Sequence, residues 1–157
     1  MSIERAKAHL KKYGLEGKIR EFTVSSATVA LAAAALGTEE ARIAKTLSFS
    51  LGEEAILVVA AGDAKVSNAK FKAVFEKKAK MLPFESVEEK IGHGVGGVCP
   101  FGINEGVKVY LDESLRRFDT VYPAAGTASS AVELSIPELE RASEFVSWVD
   151  VTQLFEV

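Results

Sequence analysis

The chain has 157 residues, a formal net charge of −3 and 48% hydrophobic residues, which suits one domain with a sizeable core and is too short for two. No apolar run reaches the length of a membrane-spanning helix, and the first residues lack the apolar core of a signal peptide, so a cytoplasmic protein without a membrane partner is expected. One cysteine and two histidines exclude an internal disulfide and argue against a structural zinc site.

The first part of the chain alternates between helical and strand patterns. Apolar residues at helical spacing predict a first helix over residues 3–13. A strand over residues 19–24 and an alanine-rich helix over residues 28–36 follow, and Ser25 or Ser26 is expected to cap that helix.

From Lys45 the pattern changes to period two, so that Leu47, Phe49 and Leu51 share one face of a strand. Lys45 has the parity of this apolar row. Two interpretations stay open on the pattern alone: the amine reaches out to solvent, or it projects into the mouth of a pocket. The segment 55–61 is apolar on both faces and predicts a central strand.

A lysine-rich segment follows between residues 65 and 80. Ser67 is predicted to cap a helix that turns Phe71, Val74 and Phe75 inward, which leaves the lysines mostly outward. These lysines either contact RNA phosphates or form an ordinary solvated helix face, because the acidic net charge gives no global sign of nucleic-acid binding.

The last part of the chain is again mixed. Residues 86–89 have a capping-box pattern that predicts a helix ending at Gly92, and residues 135–138 have a second one. Four strands are predicted here, over residues 107–111, 119–122, 131–134 and 145–149.

Two stretches of small residues stand out. The segment Gly92-His-Gly-Val-Gly-Gly-Val-Cys-Pro-Phe-Gly102 contains five glycines in eleven residues, which predicts either a surface turn or a wall of main-chain amides. The segment Pro123-Ala-Ala-Gly-Thr-Ala-Ser-Ser-Ala131 indicates close backbone packing or one side of a pocket. We favour a pocket between the two stretches.

These stretches carry a family resemblance. Gly96-Gly-Val-Cys-Pro-Phe-Gly102 and Pro123-Ala-Ala-Gly126, with Ala44-Lys-Thr46, Ala60-Ala-Gly-Asp63 and Tyr110-Leu-Asp112, resemble the YbaK family of aminoacyl-tRNA deacylases. This family includes the editing domain inserted in many bacterial prolyl-tRNA synthetases. The resemblance implies a single α/β domain of the α+β type over residues 1–157, in which a mixed, mostly antiparallel sheet curls toward a barrel and is surrounded by helices.

The resemblance also implies a function: hydrolysis of the ester of a mischarged tRNA. No cofactor is expected, because the sequence contains neither a nucleotide-binding glycine fingerprint after a strand nor a metal-ligand cluster. The partner would be the acceptor end of an aminoacyl-tRNA, with an aminoacyl-tRNA synthetase as a further candidate and no DNA. The expected catalytic residues are Lys45 and the amides of Gly96, Gly97 and Val98, which could hold the carbonyl or its developing oxyanion. Substrate contacts are expected from Phe22, Ser25, Ser26, Cys99, Pro100, Gly126, Thr127, Ser129 and Ser130.

The amino acid stays open at this stage. Cysteinyl-tRNA(Pro) deacylases of the family carry an acidic residue near the position of Ser130-Ala131, and this chain lacks it. Cysteine, alanine, serine or a proline analogue could each be removed, by water or by a group of the substrate itself.

Two other function classes remain. A binding module would keep both small-residue stretches without needing Lys45, and a thiol hydrolase would need Cys99. Cys99 could be a nucleophile if His93 acted as its base, but a small buried thiol is the commoner state, and relatives of the family often have serine there. His93 is expected at the surface.

Overall fold

The computed structural model of the protein describes residues 2–155, apart from the side chain of Ser2. The helices are α1 (Ser2–Lys11), α2 (Val29–Leu36), α3 (Asn68–Phe75), α4 (Phe84–Ile91) and α5 (Ile136–Ser143). The strands are β1 (Ile19–Glu21), β2 (Ile43–Leu51), β3 (Glu54–Ala61), β4 (Ala64–Val66), β5 (Lys108–Asp112), β6 (Thr120–Pro123), β7 (Ser130–Val132), β8 (Leu134–Ser135), β9 (Ser147–Val149) and β10 (Thr152–Leu154).

The central feature is a six-stranded mixed sheet with the strand order β8-β6-β2-β3-β5-β9. Two small sheets, β1-β7 and β4-β10, flank it. Of the seven pairings within residues 2–155, four are antiparallel and three are parallel. The central sheet curls into a half-barrel with helices around it, so the expected fold class is confirmed.

Strand β3 divides the interior, as its apolar sequence predicts. Leu57 and Val59 pack in the larger core beneath α1, α4 and α5, whereas Ile56 and Val58 pack in a second core with Phe71 of α3. All four side chains are fully buried. Because successive side chains of a strand point to opposite faces of the sheet, β3 contributes residues to both cores.

Three local predictions need correction. Thr28, rather than Ser25 or Ser26, caps α2 by accepting a hydrogen bond from Leu31 N at 3.2 Å. Helix α4 starts at Phe84 after Pro83, because proline fixes an extended entry, so residues 86–89 lie inside the helix rather than at its cap. Val74 is 43% exposed, since α3 is short and buries only a narrow face.

Other helix ends are confirmed. The Ser67 side chain accepts from Lys70 N at the start of α3, and Ser135 and Glu138 form the predicted capping box of α5. Gly92 ends α4 with a φ of +106°, a conformation that glycine adopts without steric cost. No helix within the described residues is long and apolar enough to cross a membrane.

Asp112 connects the end of β5 to the C-terminal strands. Its buried carboxylate accepts hydrogen bonds from Ser114 N at 2.9 Å, Val151 N at 2.9 Å and Thr152 Oγ1 at 2.7 Å. A carboxylate without a counter-ion is tolerated in the interior only when its oxygens are hydrogen-bonded in this way.

Replacing Asp112 with alanine should lower the free energy of unfolding by about 3 kcal/mol or more, because three charge-assisted hydrogen bonds are removed and buried donors are left unpaired. Urea unfolding followed by circular dichroism measures this change. Asp150→Ala is the matched control, since Asp150 forms an exposed ion pair with Lys70, and it should cost less than about 1 kcal/mol. Equal losses of stability in the two variants would contradict the role of Asp112.

Candidate active site

Strand β2 has one edge that is only partly paired. Its inner edge is paired with β3 from residue 44 to residue 51. On the outer edge, residues 43–44 pair with β6, and Ser48 and Ser50 bond to the segment 80–82. Between these two contacts, no strand within residues 2–155 pairs with the outer edge of residues 45–47, which leaves a gap in the pairing.

Thr46 places several polar groups in this gap. On this outer edge, the carbonyl oxygen of Ser48 accepts a hydrogen bond from Leu82 N at 3.1 Å, and the N–H of Ser50 donates a hydrogen bond to Lys80 O at 2.8 Å. Because main-chain direction alternates along a strand, the N–H and C=O of Thr46 point across the same edge. The Thr46 hydroxyl is also buried without a hydrogen-bond partner among the described residues.

A cleft of about 470 Å³ runs along the gap. Its wall is mostly apolar, and none of the described residues that line it carries a carboxylate. Five of the predicted site residues line this cleft, namely Ser26, Lys45, Gly96, Val98 and Ser130. The apolar part of the wall includes Val29, Ile43, Leu47, Leu82, Val87 and Tyr122.

The glycine segment forms one side of the cleft, but its amides are not equivalent. The Gly97 N–H donates to Gly94 O at 3.0 Å, and a Cβ on Gly97 would lie 2.5 Å from Gly126 C and Thr127 N. Gly97 is therefore a close-packing residue between the two small-residue stretches, and its amide is not free for a ligand.

Gly96 and Val98, in contrast, both line the cleft. Within residues 2–155, no acceptor is hydrogen-bonded to either of their amides. Gly96 has a φ of +95°, so a side chain there would be strained as well as crowded against Ala27 and Ala128. These two amides are therefore candidate donors to a bound group.

Lys45 lines the cleft at one end of the gap. Its side chain is half-buried; Nζ donates to Ala64 O and lies 5.4 Å from the centre of the Phe155 ring. Burial lowers the pKa of Lys45, and the nearby carboxylate of Asp63 opposes that effect. An ammonium group has three protons to donate, so the bond to Ala64 leaves two for a ligand.

The predicted residues near the N-terminal strand form a second wall. Phe22 N donates to Ser129 O at 2.8 Å, and Ser26 N donates to Ala128 O at 2.6 Å, which extends the β1-β7 pairing. The Ser26 hydroxyl donates to Ser130 O at 3.4 Å. The other predicted substrate-contact residues support this wall without lining the cleft. They are Phe22, Ser25, Thr127 and Ser129, together with the buried residues Cys99, Pro100 and Gly126 of the glycine and small-residue stretches.

His93 is fully buried, so the expected surface position is wrong. Its Nε2 donates to Phe101 O at 2.6 Å and lies 3.5 Å from Cys99 Sγ. Desolvation lowers the pKa of His93, and its Nδ1 has no partner among the described residues. A lone histidine in a glycine-rich sequence gives no periodic signal that would have predicted this burial.

Cys99 does not have the features of a nucleophile. Burial raises the pKa of its thiol to about 12, and Sγ is 3.7 Å from Phe101 O. Since His93 Nε2 carries the proton that it donates to Phe101, it cannot accept one from the thiol. A protonated thiol behind the cleft wall gives no support to a thiol hydrolase.

Sequence reasoning missed several residues of the site. Thr46 lies inside one of the family motifs, which was the signal available for it. Met81, Phe84 and Val95 line the cleft mouth, and their exposure in a helix start and a loop follows no apolar periodicity. No group of three or more His, Cys, Asp or Glu side chains among residues 2–155 is arranged to hold a metal ion.

The fold and the site define a class of protein: an α+β domain whose curled sheet leaves an apolar cleft beside a glycine segment. The aminoacyl-tRNA editing domain family matches residues 23–142, and the chain belongs to this family. The resemblance to YbaK-type editing domains is thereby confirmed.

The chain is also similar to individual proteins. The chain is 46% identical over 157 residues to the uncharacterized protein YwhH of Bacillus subtilis, covering 99% of this chain and 100% of that protein. A 95-residue part, 60% of the chain, is 30% identical to the proline–tRNA ligase of Lysinibacillus sphaericus, of which it covers 17%. The crystal structure of a proposed trans-editing enzyme for prolyl tRNA synthetase is similar with a TM-score of 0.87, 28% identity and 97% coverage of both chains.

The burial of a neutral imidazole makes stability depend on pH. Protons bind His93 more weakly in the folded state than in the unfolded state, where the pKa is near 6.5. The free energy of unfolding should therefore fall as the pH is lowered from 7 to 5, by at most about 1.4 kcal/mol per pH unit from this group. Urea titrations at several pH values measure the slope.

His93→Gln is the comparison variant, because its amide can still donate to Phe101 O but does not titrate. Its stability should decrease less steeply than that of the original chain over the same pH range. Parallel pH curves for the two proteins would contradict this account of His93.

Proposed function

We propose that the protein is a trans-acting aminoacyl-tRNA deacylase, a hydrolase that cleaves the ester between an amino acid and the terminal ribose of a mischarged tRNA. The observation that carries the proposal is the apolar cleft along the β2 gap, which is lined by Lys45 and by Thr46, Gly96 and Val98, whose polar groups have no partner among the described residues. The family assignment supports the substrate class.

The proposed reaction is ordinary ester hydrolysis. A water molecule or a group of the substrate attacks the carbonyl carbon, and the carbonyl oxygen becomes an oxyanion. The carbonyl then re-forms as the bond to the ribose oxygen breaks, and that oxygen takes up the proton that the attacking group gives up. The free N–H groups of Gly96 and Val98 are suited to stabilise the oxyanion, since preorganised amides need no reorientation as charge develops. Lys45 would hold the ribose or its phosphate, and Thr46 would hold the ester or the amino group.

The cleft favours a small uncharged amino acid. Its wall is mostly apolar, and by the family resemblance Ser130 and Ala131 lie near the position at which cysteinyl-tRNA(Pro) deacylases carry an acidic residue. Alanine, cysteine and serine all remain substrates under this proposal, because one methylene changes selectivity by only about 1–3 kcal/mol. The tRNA would be of the tRNA(Pro) type, which follows from the similarity to a prolyl-tRNA synthetase.

Action in trans is supported by the similarity to the proposed trans-editing enzyme for prolyl tRNA synthetase. A prolyl-tRNA synthetase is the candidate partner that would release the mischarged tRNA. Such a role would also place the protein in the cytoplasm, where tRNA is aminoacylated.

A panel of tRNA(Pro) charged separately with alanine, cysteine, serine and proline tests the activity directly. At least one of the first three should lose its amino acid at least tenfold faster with the protein than in buffer, and prolyl-tRNA(Pro) should be spared. Release of labelled amino acid measures the rate. A binding module without chemistry would leave every rate at the value in buffer, and that result would refute the enzyme assignment.

Lys45→Met should lower kcat/KM by about 100-fold, because the cleft loses a cation positioned near the reacting ester. Lys65→Met is the matched control, since Lys65 also lies near the Phe155 ring, at 6.0 Å, but does not line the cleft. Cys99→Ala should retain most activity. If Cys99→Ala instead showed a large loss of kcat/KM while Lys45→Met kept the original value, the result would favour thiol chemistry and contradict the assignment.

A further inference from the structure

The mouth of the cleft has an exposed apolar rim. Phe84, Met81 and Val95 line the cleft and are 74%, 55% and 51% exposed. Phe84 is the first residue of α4, directly after Pro83. The aromatic ring is therefore held on a helix start, with little of its surface covered by the protein.

The segment before this rim is cationic and unpaired. Four lysines in this segment are exposed, namely Lys72, Lys77, Lys78 and Lys80. Within the described residues, none of their side chains forms an ion pair or a hydrogen bond. Lys70 differs, because its Nζ bonds to Asp150 at 3.1 Å and to Thr152 O at 2.8 Å. Four neighbouring cations without internal partners are available to an anionic ligand.

A second cavity lies beside two of these lysines. It has a volume of about 390 Å³ and is lined by residues that include Lys72, Lys78 and Ala79. Met81, two residues beyond Ala79, lines the active-site cleft. Two residues span at most about 7 Å of chain, so Ala79 at this cavity and Met81 at the rim lie close together.

We propose that residues 72–84 bind the single-stranded 3′ end of an RNA, with the terminal base stacked on Phe84 and the preceding phosphates along Lys72, Lys78 and Lys80. This inference rests on the proposed function, which places the aminoacyl ester in the adjoining cleft. It assigns the phosphates to lysines that do not line the cleft and the base to Phe84, an exposed residue that does.

The chemistry of this surface fits RNA better than a protein partner. Proteins recognise single-stranded nucleic-acid ends by stacking bases on exposed aromatic rings and by placing cations along the backbone. Here one aromatic ring and an adjacent row of unpaired lysines occur together in a chain with a net charge of −3. A protein-docking rim would require no such unpaired cations.

Binding of a fluorescent, uncharged RNA oligonucleotide ending in CCA tests the stacking by anisotropy. Phe84→Ala and Phe84→Leu should weaken binding by about 5- to 150-fold, the range expected for stacking of one base, whereas Phe84→Trp should preserve it. Val146→Ala is the control, because Val146 is 56% exposed but does not line the cleft, and it should bind normally. Phe84→Leu that binds as tightly as the original chain would refute stacking.

The phosphate-binding role of the lysines is tested by the salt dependence of the same binding. Replacing Lys72, Lys78 and Lys80 together with glutamine should reduce the slope of log K against log salt by about 0.7 for each phosphate that is no longer neutralised. Lys11→Gln, an exposed lysine on α1, should leave the slope unchanged. An unchanged slope in the triple variant would overturn the proposed path of the phosphates.

The RNA assay separates this inference from the deacylase assignment. RNA binding that depends on Phe84, in a protein that hydrolyses no mischarged tRNA, would support the surface and refute the proposed activity. Hydrolysis that proceeds with an unchanged KM in Phe84→Ala would refute the surface alone. If Phe84→Ala binds RNA normally but loses binding to purified prolyl-tRNA synthetase, the rim docks a protein and the proposal is overturned.

Discussion

The interrupted pairing on the outer edge of β2 determines the shape of the whole site. β6 holds one end of this edge and the segment 80–82 holds the other, which keeps the intervening backbone away from any third strand. Main-chain groups left without partners in a buried position would each cost about 1–3 kcal/mol. They are tolerable where solvent or a ligand can reach them, so the same feature that weakens the sheet creates a binding position.

The glycine segment depends on the same arrangement for its location. Gly92 ends α4, and α4 begins just after the segment that pairs with β2, so the loop is delivered to the cleft from one fixed strand edge. Gly97 then packs against Gly126 and Thr127 with no room for a Cβ. One glycine therefore fixes the loop, while its neighbour Gly96 presents the backbone to the cleft.

Much of this structure could be predicted from the sequence where the signal is local. Period two identified β2 and the apolar run identified β3, because a strand buried on both faces needs apolar residues at every position. Ser67 and Gly92 marked helix ends through their own side-chain or backbone chemistry. The family motifs brought Lys45 and the glycine segment into one site.

The remaining features depend on contacts between distant parts of the chain. The gap in β2 exists because β6 pairs only with residues 43–44 and the segment 80–82 bonds only to Ser48 and Ser50. The sequence of β2 does not show where either of these pairings ends. The pattern could not distinguish the packed amide of Gly97 from the free amides of Gly96 and Val98, since all three belong to one flexible motif. Val74 was wrongly predicted to point inward, because helical spacing does not show how wide a face a short helix buries.

The burial of Cys99 has a consequence for how the protein would withstand oxidants. Sulfenic acid formation and mixed disulfides require an accessible thiolate, and the one sulfur of this kind in the chain is fully covered and keeps its proton. A thiol-bearing amino acid held in the cleft would find no enzyme sulfhydryl with which to cross-link. Peroxide that inactivates cysteine hydrolases by oxidising their thiolate should leave Cys99 unmodified.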